Sequence, residues 1–346
     1  MSKFAASIIT ILALISVIVY KTFEEEDDYS ARLRRIAKSI NSRNLTWKAE
    51  NPTRFAKMTS AEIKAMMGGR IPASFNNTPD VTDVVDLPDE ADVPESFNSI
   101  TNWPKCSSIS EIRDQSECGA CWAFSTITAM SDRICITSGQ VKQTRISARD
   151  LISCCTECGK GCHGGDTAMA WEHFKNKGLA TGDLYGDTTT CQPYPFAPCA
   201  RFTKSTKYPP CPHVYAVTPT CTHKCIPQYG KTYNNDLHYG NGHYLVIGEK
   251  RMKAEISASG PISNIFFVYE DFLTYTSGIY QHNQGKLVGP HAVKILGYGS
   301  EGGVKYWLVA NSWNDQWGEN GFFRIRRGVN ECGIEIYGVG GIIKTQ

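Results

Sequence analysis

Cys121, His291, Asn311 and Gln115 are the residues whose types and spacing could break an amide bond. Cys121 lies in the run Gln115-Ser-Glu-Cys118-Gly-Ala-Cys121-Trp122-Ala-Phe124 and opens a stretch with apolar residues at Trp122, Phe124, Ile127, Met130 and Ile134. That spacing is close to helical, and Gly139 stops it. A thiol at a helix start faces the positive end of the helix dipole, which favours thiolate. The chain has 14 cysteines, so a disulfide is the default role for any one of them. Cys121 departs from that default through its local pattern, C-G-[SA]-C-[WY], which expects a histidine and an asparagine far downstream. His291 opens the apolar run His-Ala-Val-Lys-Ile-Leu-Gly-Tyr-Gly, and Asn311 follows in Asn311-Ser-Trp313. Together they allow a thiolate to attack a peptide carbonyl, an imidazolium to protonate the leaving amine, and water to hydrolyse the thioester.

These residues need two kinds of scaffold. Helical patterns are read over Cys121–Thr137, after Ser147-x-x-Asp150, over Thr167–Lys177 and over Glu249–Ser259. The period then changes from 3.6 to 2. Ile262–Tyr269, His291–Tyr298, Val304–Ala310 and Phe322–Arg326 read as strands separated by glycines. Helices lead and strands follow, which predicts an α+β fold with a helical lobe, a sheet lobe and a cleft between them.

Everything before Cys106 is cysteine-free. Phe4–Tyr20 is an apolar run after Lys3, read as a signal peptide over 1–21 or, if uncleaved, a membrane anchor. Either way the body meets an oxidising compartment, which suits the cysteine density. Residues 22–91 are polar, with weak helical spacing at Leu33, Ile36 and Ile40 and around Ile63, Met66 and Met67. Asn44 and Asn76 are glycosylation acceptors, and Thr78–Pro94 reads as a linker. The segment is either a flexible extension or a removable pro-segment. A net charge of +2 gives no basic face for nucleic acid.

From about Pro94 to Ile343 the chain resembles the papain-like cysteine peptidases, in their cathepsin B branch. The resemblance rests on Arg113-Asp-Gln115, the motif around Cys121, Cys154-Cys155, Gly161-Cys162-x-Gly164-Gly165, His238-Tyr-Gly and Tyr306-Trp-Leu-Val-Ala-Asn311-Ser-Trp313. More loosely, it includes Asn44-Leu-Thr-Trp47 and Met66-Met67-Gly68-Gly69. It implies a papain-like two-lobed fold with a barrel-like sheet lobe over 92–346. Cys121 would be the nucleophile, His291 its proton partner and Asn311 the residue that orients the imidazole. Gln115 would be an oxyanion donor and Trp313 a shield over the His–Asn bond. Gly164, Gly165, Ala292 and Tyr337 would touch substrate. Ala120 stands where the family usually has Ser, without evident cost. No cofactor is implied. Partners would be protein or peptide substrates, the chain's own pro-segment as an intramolecular inhibitor, and cystatin-type inhibitors. A membrane enters only if the N-terminal run stays uncleaved. The location would be the secretory pathway, lysosomal or extracellular.

With Cys121 set aside, 13 cysteines remain, so at least one is free or pairs outside the chain; Cys332 is the natural one. The resemblance implies the bridges Cys106–Cys135, Cys118–Cys162, Cys154–Cys221, Cys155–Cys158, Cys191–Cys225 and Cys199–Cys211. A zinc reading of Cys154, Cys155, Cys158, Cys162, His163, Cys221, His223 and Cys225 lacks the repeated C-x-x-C spacing. Cys121 and His291 are 170 residues apart, against about 130–150 for the motif. Several tens of residues are therefore inserted. Cys191–Cys225, with seven prolines and five cysteines, is the obvious place. In the cathepsin B branch this is the occluding loop, whose histidines capture a terminal carboxylate. Here no histidine lies between Cys199 and Cys211, so weak or absent carboxydipeptidase activity is expected, and a loop held loosely because the Asp matching Asp114 loses its partner. Arg201 could replace the histidines; Lys204 and Lys207 read as solvated. Tyr337 predicts an apolar pocket for the second residue before the cut, with Asp166 as a possible charge at its rim. The rival reading is a catalytically silent, disulfide-rich binding protein on the same scaffold.

Overall fold

The computed structural model describes residues 29–344 except 52–54, 56–57, 72–78, 82–83, 201–206 and 213. Residues 29–41 form helix α1, with Leu33, Ile36 and Ile40 buried as their spacing predicts. Strand β1 (Trp47–Ala49) and helix α2 (Ser60–Ala65) follow. Thr59 starts α2 with a reciprocal cap: its hydroxyl accepts from Glu62 N, while the Glu62 carboxylate accepts from Thr59 N. Then come β2 (Phe97–Asn98), α3 (Ser99–Asn102), α4 (Cys121–Thr137), α5 (Ala148–Cys154), α6 (Thr167–Asn176), β3 (Gly240–Val246) and α7 (Glu249–Ser259). The chain closes with β4 (Ile262–Tyr269), β5 (Tyr275–Tyr280), β6 (Leu287–Glu301), β7 (Val304–Ala310), β8 (Phe322–Arg326) and β9 (Tyr337–Ile343).

The sheet order is β1-β5-β8-β7-β6-β4-β9-β3, with β2 added on β6. Every pairing is antiparallel except β5–β8. Among the described residues the end strands β1 and β3 do not pair, so the sheet is open and not a closed barrel. One apolar core lies under the sheet, and a second surrounds α4 and α6. Residues 29–67 supply Leu33, Ile40, Trp47, Ile63 and Met66 to the first core, and β1 extends the sheet edge at β5. This part of the N-terminal segment is therefore a docked element, not a flexible extension.

Buried polar ties fix α4 against the sheet lobe. Arg133 donates to Glu255 Oε1 (2.7 Å) on α7 and to the carbonyls of Pro261 and Gly341. Asp132 Oδ2 meets Lys294 Nζ at 2.7 Å, three residues beyond His291 on β6. Breaking a buried pair from one side costs about 3–5 kcal/mol, so these ties hold the Cys121 helix at a set distance from the His291 strand. Six disulfides are formed: Cys106–Cys135, Cys118–Cys162, Cys154–Cys221, Cys155–Cys158, Cys191–Cys225 and Cys199–Cys211. Cys121 and Cys332 are free thiols. No helix among the described residues is long and apolar enough to cross a membrane. The run Phe4–Tyr20 and Asn76 lie outside the described residues, while Asn44 is exposed between α1 and β1.

Candidate active site

Cys121 is the first residue of α4 and fully buried. The Cys118–Cys162 disulfide and the bond from Gly119 N to Cys162 O (2.8 Å) tie the turn before it to the Gly161–Gly165 strip. From the other lobe, β6 brings His291 and Ala292, and Ala292 N points at Cys121 Sγ at 3.5 Å. His291 Nε2 lies 2.8 Å from Asn311 Oδ1, just past the end of β7. With Nε2 engaged by Asn311, Nδ1 is the nitrogen on the opposite side of the imidazole. The Trp313 ring covers His291 at a centroid distance of 4.7 Å and is itself fully buried, which keeps water from the His–Asn bond.

Gln115 is held at both ends of its amide. Its Oε1 accepts from Ser312 Oγ (2.7 Å), and its backbone N–H donates to Ser312 O (2.9 Å). That fixes Nε2 toward the cleft, where it donates to the carbonyls of Met66 (3.0 Å) and Cys118 (2.8 Å). A carbonyl oxygen beside a preorganised amide donor, next to a thiol, is the geometry that stabilises a tetrahedral oxyanion.

The carbonyl in question belongs to the chain's own N-terminal segment. Residues Met66–Arg70 thread the cleft. Gly68 N donates to Cys121 Sγ at 3.2 Å, and Gly68 O accepts from Gly165 N at 2.9 Å. Arg70 N donates to Gly165 O at 3.0 Å, and Gly69 N to Pro290 O at 3.2 Å. Gly165 thus pairs with a peptide backbone, and it must be glycine because a Cβ there would meet the Trp122 ring at 2.6 Å. Covered this way, Cys121 is desolvated. Burial pushes its thiol up to about 11, against the opposing pull of the Ala292 and Gly68 N–H groups. The thiolate expected at the helix start is not the stable form while the segment is seated, because desolvation outweighs the dipole and the donors.

Tyr337 is fully buried at the start of β9 and donates to Asp166 Oδ1 at 2.9 Å. Asp166 caps α6 through the same oxygen, which accepts from Ala168 N. Asp166 therefore sits buried beneath Tyr337 and not at an exposed pocket rim, and burial raises its carboxyl above the usual range. Asp114, expected to be left without a partner, has two. Asp114 Oδ2 accepts from Cys199 N and from Asn314 Nδ2, both at 3.0 Å, and Asn314 Nδ2 also donates to Cys199 O. Lys207 is not simply solvated but forms an ion pair with Asp315. Arg201, Phe202 and Lys204 lie outside the described residues. Sequence reading missed Ser312, Asn314 and Tyr215; serine, asparagine and tyrosine in a loop carry no periodic signal, although Ser312 and Asn314 flank the Trp313 already singled out. The thiols drawn as zinc ligands are spent in disulfides, which suits no metal.

The profile of the papain family cysteine proteases matches residues 93–342. The chain is 47% identical over 311 residues to cathepsin B-like cysteine proteinase 6 of Caenorhabditis elegans, covering 88% of this chain and 82% of that protein. It is 47% identical over 303 residues to a cathepsin B-like cysteine proteinase of Schistosoma japonicum, covering 86% and 87%. Among solved structures, procathepsin B S9 from Trypanosoma congolense superposes with a TM-score of 0.77 at 37% identity, over 90% of this chain and 98% of that one. A digestive procathepsin L 3 of Tenebrio molitor shares the fold, with a TM-score of 0.65 at 21% identity, over 94% and 92%. The thiol, imidazole and carboxamides converge in a cleft threaded by an N-terminal peptide, on a chain that belongs to the papain family of cysteine proteases and is cathepsin B-like.

Proposed function

We propose that this protein is a cysteine endopeptidase made as a zymogen, with Cys121, His291 and Asn311 as its catalytic residues and Gln115 as an oxyanion donor. The single observation that carries the reading is the seating of a peptide carbonyl, Met66 O, on Gln115 Nε2 beside Cys121. Removal of the segment up to about residue 91 rehydrates Cys121. Its proton then passes to His291, and the thiolate attacks the carbonyl carbon of a substrate peptide bond. Gln115 Nε2 and the backbone N–H of Cys121 take up the oxyanion; one such donor is typically worth about 3 kcal/mol. His291 protonates the leaving amine, and water completes hydrolysis of the thioester.

Endopeptidase action is favoured by what the inserted loop offers. Among the described residues of Cys199–Cys211 the cation is Lys207, and Asp315 holds it. No histidine lies between Cys199 and Cys211 to capture a terminal carboxylate; Arg201, which could do so in a bidentate fork, lies outside the described residues. The apolar Tyr337 floor, its hydroxyl committed to Asp166, favours apolar side chains two residues before the cut. The six disulfides suit the secretory pathway, in a lysosomal or extracellular location. Cystatin-type inhibitors would be partners of the cleft once the segment is removed.

The test is a thiol-reactive, substrate-like epoxide applied before and after removal of the segment. Labelling at Cys121 alone, only after removal, is expected, together with cleavage of an internally quenched long peptide; Cys121→Ser abolishes both. A short peptide cleaved tenfold faster with a free than with an amidated C-terminus overturns the endopeptidase reading.

A further inference from the structure

The N-terminal segment grips the body in the cleft and again at an edge of the sheet, where β1 lies antiparallel on β5. Ile279 N donates to Thr46 O at 2.8 Å and Glu50 N to Thr274 O at 2.9 Å. Thr46 Oγ1 donates to Ile279 O at 2.6 Å, and Thr276 Oγ1 to Lys48 O at 3.1 Å. Among these bonds Trp47 fills a slot and is buried there. Its ring packs on Tyr280 at 5.0 Å and Tyr275 at 6.2 Å, and its Nε1 donates to Asn283 Oδ1 at 3.0 Å. The approach is close: a Cβ on Gly278 would meet Thr46 O at 2.4 Å and Trp47 Cα at 2.8 Å. The body holds the slot by its own bonds. Tyr280 Oη donates to Asp271 Oδ1 (2.6 Å), Tyr275 Oη to Gly278 O (2.7 Å) and Asn283 N to Asp271 Oδ2 (2.8 Å). Eight residues further along the segment, Phe55 packs on Trp313, the cover of His291. That length of chain spans at most about 28 Å, so the slot lies within about that reach of the catalytic cover.

We propose that, once the segment is removed, this slot serves as an exosite that captures extended polypeptide substrates through a tryptophan and strand addition on β5. The proposal deepens the peptidase reading and rests on it for the removal of the segment. Departure of β1 makes β5 the sheet edge, with Ile279 N, Ile279 O and Thr274 O facing a vacated strand position. Main-chain bonds at such an edge accept almost any sequence, so the slot supplies the selection. It presents two phenol rings and one carboxamide oxygen, which match a flat aromatic ring with an N–H on its edge. Indole carries that donor, whereas a phenylalanine ring would leave Asn283 Oδ1 without it. A polypeptide held there is tethered beside the cleft. Its concentration at Cys121 rises with no new contact to the catalytic residues.

The experiment uses enzyme freed of its segment and quenched peptides that share one cleavable sequence. A flexible linker of about twelve Gly and Ser residues joins that sequence, at either end, to Leu-Thr-Trp-Lys-Ala or to Leu-Thr-Ala-Lys-Ala. At one end or the other, the tryptophan tail should raise kcat/KM about tenfold over the alanine tail. Asn283→Ala removes the acceptor for the indole and should bring that ratio below about threefold. The same variant should cleave a Phe-Arg fluorogenic substrate within about twofold of the parent, which also shows that it folds. A fluorescent peptide of residues 43–51 should bind about tenfold more weakly when its tryptophan is replaced by alanine, or when the enzyme carries Asn283→Ala. Equal cleavage of the two tails at both ends, or a ratio that Asn283→Ala leaves unchanged, overturns the exosite. Absence of Cys121 labelling in the parent enzyme is the separate failure, that of the peptidase reading itself; binding of the 43–51 peptide then decides the slot alone, and equal binding of the tryptophan and alanine peptides overturns it.

Discussion

Gly68→Ala is the sharpest perturbation of the threaded segment, because it leaves the peptidase body untouched. A Cβ on Gly68 would sit 1.8 Å from Gly119 O and 2.7 Å from Gly119 C. Both are backbone atoms of the turn that carries the nucleophile, and the Cys118–Cys162 bridge holds that turn in place. The peptide must therefore move by more than 1 Å, roughly the difference from an ordinary contact. Four bonds depend on its present path: Gly68 N to Cys121 Sγ, Gly165 N to Gly68 O, Arg70 N to Gly165 O and Gly69 N to Pro290 O. At about 1 kcal/mol each, losing two to three of them costs about 2–3 kcal/mol. That corresponds to about a 30- to 150-fold weaker inhibition constant for the peptide acting on the mature enzyme. In the full chain, the variant should be alkylated at Cys121 without prior processing. An inhibition constant within twofold of the parent peptide would refute the claim that the Gly68–Gly119 approach seats the segment.

The pH behaviour should change sign of control on activation. With the segment seated, Cys121 is raised to about 11 from an ordinary thiol's 9. Burial therefore keeps the sealed thiol protonated until the pH approaches 11, so zymogen alkylation should stay slow to about pH 10; a rise near pH 8 would sink this account. The mature enzyme should show a bell-shaped profile, falling in acid as the thiolate protonates and in alkali as the imidazolium deprotonates. For the pocket floored by Tyr337, Phe-Arg fluorogenic substrates should outrun Arg-Arg ones, and equal turnover would show that a charge is supplied there after all. Ser312→Ala frees the Gln115 amide to turn, so kcat should fall about fivefold to tenfold with KM little changed; a KM effect alone would mean Ser312 serves binding instead.

The bounds of the chemistry-bearing elements could be read almost residue by residue. Cys121–Thr137, Glu249–Ser259, Ile262–Tyr269, Val304–Ala310 and Phe322–Arg326 appear as expected, because each has a clear period and a glycine or proline close to one of its ends. The strand at His291 is longer than its apolar core, since Leu287–Pro290 pair with β4 through backbone bonds that need no apolar side chain. The N-terminal segment was least legible. Trp47 is an isolated aromatic in a polar stretch, yet it adds a strand to the sheet edge and packs on Tyr275 and Tyr280. Three-residue strands carry too little pattern to stand out. The loop tie through Asp114 was invisible for another reason: its partner is a backbone N–H, which every residue but proline possesses.

That the site is assembled while blocked has a consequence for activation. The His291–Asn311 bond, the Ser312–Gln115 bond and the Trp313 cover are all in place with the segment bound. Latency on the proposed reading then comes from occupancy and desolvation at Cys121, not from a dismantled site. Processing need only remove a peptide, and it need not refold the body. Phe55 shows how closely the two are fitted, packing edge-on against Trp313 at 4.9 Å from within the segment. When the segment leaves, Trp313 exchanges that aromatic edge for solvent or for a substrate side chain. An apolar substrate residue reaching the surface it uncovers would be rewarded by the same edge-on packing.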